Sequence, residues 1–467
     1  MKRALALALL IDFGSTFTKL TVVDVEEARL AAQAVAPTTP EDVTVGLRQG
    51  LARLAAQGVR EKDLRLRLAC SSAAGGLRMV AVGLVPELTA EAARRAALGA
   101  GARVVATLAY KLSASDAQRI KELAPDIVLL AGGTDGGNRD GLLANAQRLA
   151  EARITAPVVV AGNREAAGEA AALLAAAGIA VRVADNVMPE LGVLQVEPAR
   201  AAIRELFLER IVQAKGLDAA RRYVEDVVMP TPAAVLAAAE LLARGAGGEP
   251  GLGEVAVVDV GGATTDVHSA AAGAPAAADV TVKGLPEPWA KRTVEGDLGV
   301  RVSAASLVEA VGADVVGRAA GLAPDEVRRM AAELARTPAR LPQSERERAL
   351  DRALAWAAAR TAMRRHVGRL EVRATPLGTR RFQVGKDLSA LPALIGTGGV
   401  IVHGGFARAV LQSCLADGAP EEERHLLLPR APALLVDARY LLAAGGLLAQ
   451  RLPEVAFALL KQHLQPV

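Results

Sequence analysis

Short apolar runs alternate along the whole chain with Ala/Leu segments that carry Arg and Glu at helical spacing, the pattern of strands and helices stacked in α/β layers. Residues 4–11 and 18–25 are two such runs on either side of Asp12-Phe-Gly-Ser-Thr-Phe17, which predicts a hairpin with a Gly-containing turn. A helix over about 41–57 follows, then short strands over 64–70 and 79–85. From about residue 90 to 185 the alternation becomes strict. Helices at 90–100, 115–123, 138–153 and 164–177 interleave with strands at 102–107, 126–131, 157–161 and 179–184, which predicts a parallel sheet of its own. Helical stretches at 198–215 and 232–244 lead to Gly245-Ala-Gly-Gly-Glu-Pro-Gly251, the most loop-like segment of the middle, and the main domain boundary is placed there. Beyond it, strand 255–260 runs into Gly261-Gly-Ala-Thr-Thr-Asp266 and a second strand around Val267. Gly273 and Pro275 make 269–279 read as a loop. Helices dominate 303–369, a strand at 393–395 enters Gly396-Thr-Gly-Gly399, and an apolar helix follows Tyr440.

Composition narrows the function classes. With 52% hydrophobic and 23% charged residues over 467 positions, the chain is globular and long enough for two or three domains. The 55 basic and 51 acidic residues leave a net charge of only +4, and aromatics are 2%, so neither a nucleic-acid nor a membrane partner is expected. Cys70 and Cys414 lie far apart, and five histidines form no paired metal motif, which speaks against disulfides and a thiolate or imidazole metal site. The start imitates a secretory signal, but its apolar run stops at Asp12 without a small-residue cleavage site and reads as a buried strand. No stretch approaches the ~20 uninterrupted apolar residues of a membrane helix, so a soluble, cytoplasmic protein is expected.

Three segments offer chemistry. Asp12-Phe-Gly-Ser-Thr-Phe-Thr-Lys19 presents turn N–H groups, the Ser15 and Thr16 hydroxyls and the Lys19 ammonium to an anion, while Asp12 can hold a hydrated cation. An ordinary hairpin with a surface Lys has the same wording. Asp259-Val-Gly-Gly-Ala-Thr-Thr-Asp266 repeats the design: a strand ends in an acid, then comes Gly-rich backbone at Gly261 and Gly262, then the Thr264 and Thr265 hydroxyls. A tight strand-turn-strand would serve as well. Gly396-Thr397-Gly398-Gly399 follows a strand directly, and side-chain-free residues there let a flat base or a phosphate approach the main chain. No Walker A segment and no GxGxxG after a strand competes with these.

Their order resembles the superfamily of actin, heat-shock chaperone and sugar-kinase ATPases. In it the first motif is the first phosphate loop, the second is the second phosphate loop, and GTGG is the adenosine loop. The resemblance implies an actin-like ATPase fold of two RNase H-like halves around a nucleotide cleft, with an additional parallel α/β insertion in the first half. The halves would be 1–250, with the insertion at about 90–200, and 251–467, whose last helix at 440–452 would cross back. It further implies ATP/ADP and Mg2+, with Gly14 to Thr16, Lys19 and Gly261 to Thr265 on the phosphates, Asp12 and Asp259 on the metal, and 396–399 facing the nucleoside. Asp266 and Glu295, the latter in Val294-Glu-Gly-Asp-Leu-Gly299, are the positional candidates for the hydrolytic base.

Within the superfamily, Ser71-Ser-Ala-Ala-Gly-Gly-Leu77, Leu130-Ala-Gly-Gly-Thr-Asp-Gly-Gly137, Asn186-Val-Met-Pro-Glu190 and Tyr440-Leu-Leu-Ala-Ala-Gly-Gly446 are similar to the MutL (GlmL) family, which accompanies adenosylcobalamin-dependent glutamate mutases. That resemblance implies a slow ATPase acting as a chaperone-like or reactivating factor, with mutase subunits as partners. A small-molecule kinase of the same fold, or a nucleotide-dependent assembly protein without turnover, are the alternatives. The Gly-rich turn at 132–137 sits where open α/β sheets bind ligands, or is a helix entry capped by Asp135 or Asn138. No DxHxxG stretch supports cobalamin as a cofactor.

Overall fold

The computed structural model describes residues 7–14, 17–39, 42–72, 77–214, 226–375 and 378–467. The chain divides into two compact units, Met1–Ala234 with Gly284–Pro286, and Val235–Lys283 with Glu287–Val467. The division falls inside the helix Thr231–Arg244, ahead of the 245–251 turn.

The first unit opens on a sheet built from β1 (Leu7–Phe13), β2 (Phe17–Asp24), β3 (Arg29–Pro37), β4 (Leu64–Ser71) and, much later, β10 (Asp226–Pro230), in the order β10-β4-β1-β2-β3. β1 reads Leu-Ala-Leu-Leu-Ile-Asp-Phe and is buried throughout, as befits a strand covered on both faces. β1, β2 and β3 form an antiparallel meander, while β4 and β10 run parallel to β1. The helix α1 (Val43–Ala56) starts at Asp42, whose side chain accepts from the Thr44 N–H, and its Leu47 and Leu54 join Leu20 and Val22 in the core.

Between β4 and β10 lies a second sheet, fully parallel, of β5 (Leu77–Val82), β6 (Ala102–Leu108), β7 (Ile127–Leu130), β8 (Val158–Val160) and β9 (Val181–Val183), in the order β6-β5-β7-β8-β9. Helices α2 (Glu91–Gly99), α3 (Ala114–Leu123), α4 (Asp140–Ala152) and α5 (Arg164–Ala176) supply the crossovers, and α6 (Glu197–Ala214) leads back to β10. The insertion's sheet thus takes in Leu77–Val82, ahead of residue 90. The helix α7 (Thr231–Arg244) follows β10.

After a short ribbon of β11 (Gly245–Ala246) and β12 (Glu249–Pro250), the second unit repeats the first sheet's plan with β13 (Val255–Val260), β14 (Thr265–Ala270), β16 (Ala290–Glu295), β19 (Ala393–Thr397) and β20 (Ala433–Asp437). β13, β14 and β16 form the antiparallel meander, and β19 and β20 follow parallel to β13. The order β16-β14-β13-β19-β20 is that of β3-β2-β1-β4-β10, with β21 (Leu464–Pro466) added at the edge. One face is covered by α8 (Ala304–Val311), α9 (Ala313–Ala320), α10 (Pro324–Arg336) and the long α11 (Glu345–His366). α11 begins in a Ser344/Glu347 capping box and carries Arg364 and Arg365 in its last turn, charges matched to its dipole. α12 (Gly399–Gly404) and α13 (Ala407–Gln412) follow β19, α14 (Leu442–Leu448) and α15 (Pro453–His463) follow β20, and β15 (Val280–Lys283), β18 (Gly378–Val384) and β17 (Arg369–Thr375) form a small separate sheet.

Two sheets of one strand order, each opened by an acid-tipped hairpin and the first carrying a parallel α/β insertion, make this the expected actin-like fold of two RNase H-like halves. Several strands went unpredicted. β3 hides because its buried alternate positions, Ala32, Ala34 and Ala36, are alanines with little strand preference. β17 and β18 are Arg-rich and largely exposed, so no apolar period marks them.

Candidate functional site: two acid-tipped turns

In the first unit the β1–β2 register places Asp12 opposite Lys19 and, across β4, beside Cys70. Directly paired residues share a sheet face, so Lys19, Asp12 and Cys70 form a row at the carboxyl end of β1. The Asp12 carboxylate is buried. Its Oδ2 meets Lys19 Nζ at 3.4 Å, and its Oδ1 accepts from the Thr231 hydroxyl at 2.6 Å, with Cys70 Sγ 3.7 Å away. Burial, reinforced by the negative charge of Asp12, pushes the Cys70 thiol well up, so this thiol is neutral packing rather than a nucleophile. Gly14 closes the turn, donating its N–H to Phe17 O at 3.1 Å. A Cβ there would stand 2.5 Å from that same oxygen, which requires glycine. Ser15 and Thr16 lie outside the described residues.

The second unit shows the same design. Asp259 pairs with Asp266 on β14 and with Thr397 on β19, so the three side chains share one face. Between the hairpin strands, Gly261 N–H bonds Thr264 O at 2.9 Å. The carbonyls of Gly261, Gly262 and Ala263 are each taken by the segment after β16: Val300 N–H to Gly261 O at 3.1 Å, Arg301 N–H to Gly262 O at 2.8 Å, and Ser303 Oγ to Ala263 O at 2.7 Å. A trans peptide points its N–H opposite to its C=O. The N–H groups of Gly262, Ala263 and Thr264 therefore turn away from that segment together, without a protein acceptor among the described residues. Successive N–H groups aimed one way make an anion nest. This fit to a phosphate rests on residues 298–303, a support that motif reading overlooked. Its only trace in the sequence is Gly299, where a Cβ would fall 2.3 Å from the Ala263 carbonyl carbon.

The support is itself anchored. The Arg301 guanidinium donates to both oxygens of Asp351 on α11, at 2.9 and 2.6 Å, and to Val300 O at 2.9 Å. Burial pushes the Asp351 carboxyl up, against the pull of Arg301. The Thr265 hydroxyl is buried and donates to Leu298 O at 2.7 Å, so it ties hairpin to support, and Thr264 is the hydroxyl left at the partly exposed turn.

The two expected base candidates separate. Glu295 pairs with Thr265 and Asp266 with Val294, so the two carboxylates lie on opposite sheet faces. Asp266 is buried against Arg292, with Oδ2 at 3.0 Å, and burial still raises its carboxyl above the usual range. Glu295 is raised by burial too, and Arg365 grips it at 2.7 Å while also holding both oxygens of Asp297.

The third motif abuts the second. Gly398 has φ +98°, and a Cβ would strike Val260 O at 2.3 Å, whereas one on Gly399 would meet nothing within 4 Å. The main chain is thus packed against β13 at 398 and open at 399, where α12 begins. Thr397 Oγ1 donates to Asp437 Oδ2 at 3.1 Å, and Asp437 accepts the Leu441 and Leu442 N–H groups at the start of α14. Asp437 was not singled out beforehand, because β20 ending in an acid has no glycine run to mark it.

No cluster of three or more His, Cys, Asp or Glu side chains able to hold a metal occurs among the described residues. Asp12 and Asp259 are single carboxylates at strand ends, a donor set that suits an ion bound mostly through water and phosphate oxygens. In the insertion, the 132–137 turn is satisfied from within: Asn186 Nδ2 donates to Gly133 O and Asp135 Oδ1, Asn163 Nδ2 to Gly137 O, and Asp135 Oδ1 also accepts the Arg164 N–H. Asn138 accepts the Gly141 N–H at the entry to α4.

In sequence, residues 8–464 match the family described as MutL protein. Protein MutL of Clostridium tetanomorphum is 48% identical over 461 residues, covering 98% of this chain and 99% of its own. Among solved structures, the ethanolamine utilization protein EutJ from Carboxydothermus hydrogenoformans covers 97% of this chain and 89% of its own at 12% identity and a TM-score of 0.27. Xylulose kinase from Bifidobacterium adolescentis covers 99% and 94% at 12% identity and a TM-score of 0.31. From end to end, then, this chain belongs to the MutL protein family.

Proposed function

We propose that the protein binds Mg-ATP, hydrolyses it slowly, and uses the cycle as a chaperone-like or reactivating factor for an adenosylcobalamin-dependent, glutamate-type mutase. The observation that carries the nucleotide part is the nest at Gly262, Ala263 and Thr264, whose N–H groups face outward while the carbonyls of Gly261, Gly262 and Ala263 are held from behind. Those N–H groups and the turn at Gly14 would take the phosphates, with Lys19 neutralising charge. Asp12 and Asp259 would hold a magnesium ion and its waters, the ion supplying charge neutralisation at the phosphates. Thr397, Gly398 and the open Gly399 would border the nucleoside. Asp266, bonded to Arg292, and Glu295, bonded to Arg365, are the positional candidates for the base that orients the attacking water.

The mutase as partner rests on the family. A cytoplasmic setting is in keeping with Cys70 and Cys414, both free and buried, and no helix among the described residues is long and apolar enough to cross a membrane. The test is ATP turnover by the purified protein alone and with the cobalamin-dependent mutase subunits of the same cell. Slow basal release of phosphate that the mutase stimulates supports the reading. Turnover that ignores the mutase and is driven by a sugar or organic acid refutes it.

A further inference from the structure

Most positions of the small sheet β15-β18-β17 are exposed, Gln383 being the buried exception among its described side chains. Direct pairing places Arg369, Glu371 and Arg373 of β17, Arg380 of β18 and Lys283 of β15 on one face. The opposite face carries Val372, 63% exposed, and Val282, 49% exposed. On the charged face Glu371 is the acid of the set, and it serves three cations: Arg369 at 3.0 Å, Arg373 at 2.6 Å and Lys283 at 3.7 Å. Arg380 has no acidic partner among the described residues, and it stands directly opposite Arg373 in the antiparallel register. Like charges directly opposite each other weaken a strand pair, so the ribbon itself gains nothing from this arrangement. An incoming carboxylate surface would meet Arg380, which has no acidic partner among the described residues, and three cations that share Glu371.

We propose that the Arg369/Arg373/Arg380/Lys283 face of this sheet is the docking surface for an acidic patch on a protein partner. Under the reading above, that partner is the mutase, and the inference rests on that reading. An acidic protein suits the face better than nucleic acid because aromatic side chains for base stacking are scarce in this sheet, Phe382 being its single one. Charge-driven encounter of this kind is fast and salt-sensitive.

The experiment measures affinity of the full-length protein for purified mutase subunits, with and without Mg-ATP, by interferometry at low and high salt. It compares the wild type with Arg373→Glu/Arg380→Glu, with Arg373→Lys/Arg380→Lys, and with Arg148→Glu on α4 as a charge control. The glutamate pair should weaken binding by about tenfold or more and flatten its salt dependence. The lysine pair and Arg148→Glu should bind like wild type, with basal ATP turnover and melting temperature unchanged in all. Equal binding by wild type and the glutamate pair overturns the docking surface while leaving the proposed function intact. Absence of mutase binding by the wild type, or charge-dependent binding of an RNA oligomer instead, overturns the mutase reading and this inference with it.

Discussion

Arg301→Met gives the sharpest test of how the second turn is held. The substitution keeps the aliphatic stem and removes a guanidinium that makes two bonds to Asp351 and one to Val300 O. The two side chains are 13% and 8% exposed, so this is a buried pair, and deleting one partner of such a pair costs about 3–5 kcal/mol. The loss must depend on pH. Burial already raises the Asp351 carboxyl, and without Arg301 it rises further, so the folded variant binds a proton that the unfolded chain has released. A carboxyl raised in the folded state favours folding at low pH, and that advantage is lost as pH climbs from the ordinary carboxylate range through the folded value. The deficit of Arg301→Met relative to wild type should therefore be larger at pH 7.5 than at pH 5. Trp289 and Trp356 are the only tryptophans, and both lie in the second unit, so their fluorescence during denaturant unfolding reports that unit alone. Arg301→Met/Asp351→Leu should recover most of the loss, because an apolar replacement leaves no buried charge behind. Equal deficits at the two pH values, or a double variant as unstable as the single one, would refute the reasoning.

Gly398→Ala should cost the second unit about 1–3 kcal/mol through its positive φ, more where Val260 has to move, and weaken ATP binding. Gly399→Ala, with open space at its Cβ, should leave stability within about 0.5 kcal/mol, a contrast that paired melting curves check. The buried imidazoles of His268 and His366 are pushed well below the usual histidine range by burial, with Arg292 acting on His268 and Lys291 and Lys386 on His366. The unfolded chain then binds more protons, so second-unit stability is lost as pH falls through the ordinary histidine value. Among the described residues neither ring nitrogen of His268 has a hydrogen-bond partner, so His268→Leu should shrink this acid loss without lowering stability at pH 8. An unchanged acid limb in that variant would contradict the assignment.

The features that were legible in the sequence are those with a strong local signature. The insertion's strict alternation and the two acid-then-glycine strand ends mark the sheets and turns, because buried parallel strands are continuous apolar runs and tight turns need glycine. What stayed hidden depends on partners far along the chain. That Thr231 holds Asp12, or that Arg301 reaches from the back of the Gly261–Thr264 turn to Asp351, is set by packing of segments 50 to 219 residues apart. Thr265 read as a ligand hydroxyl because composition cannot say which of two adjacent threonines points inward. Asp266 and Glu295 looked like interchangeable bases until strand register put them on opposite faces.

The central claim is that two acid-tipped turns bind the phosphates of Mg-ATP. Calorimetric titration of the full-length protein with ATP, with and without magnesium, tests it most directly when run on the wild type, Asp12→Asn and Asp259→Asn. Saturable, one-to-one, magnesium-dependent binding by the wild type that each substitution weakens by tenfold or more, about 1.4 kcal/mol, is the predicted result. No saturable binding by the wild type, or affinities in both variants equal to it, would contradict the account.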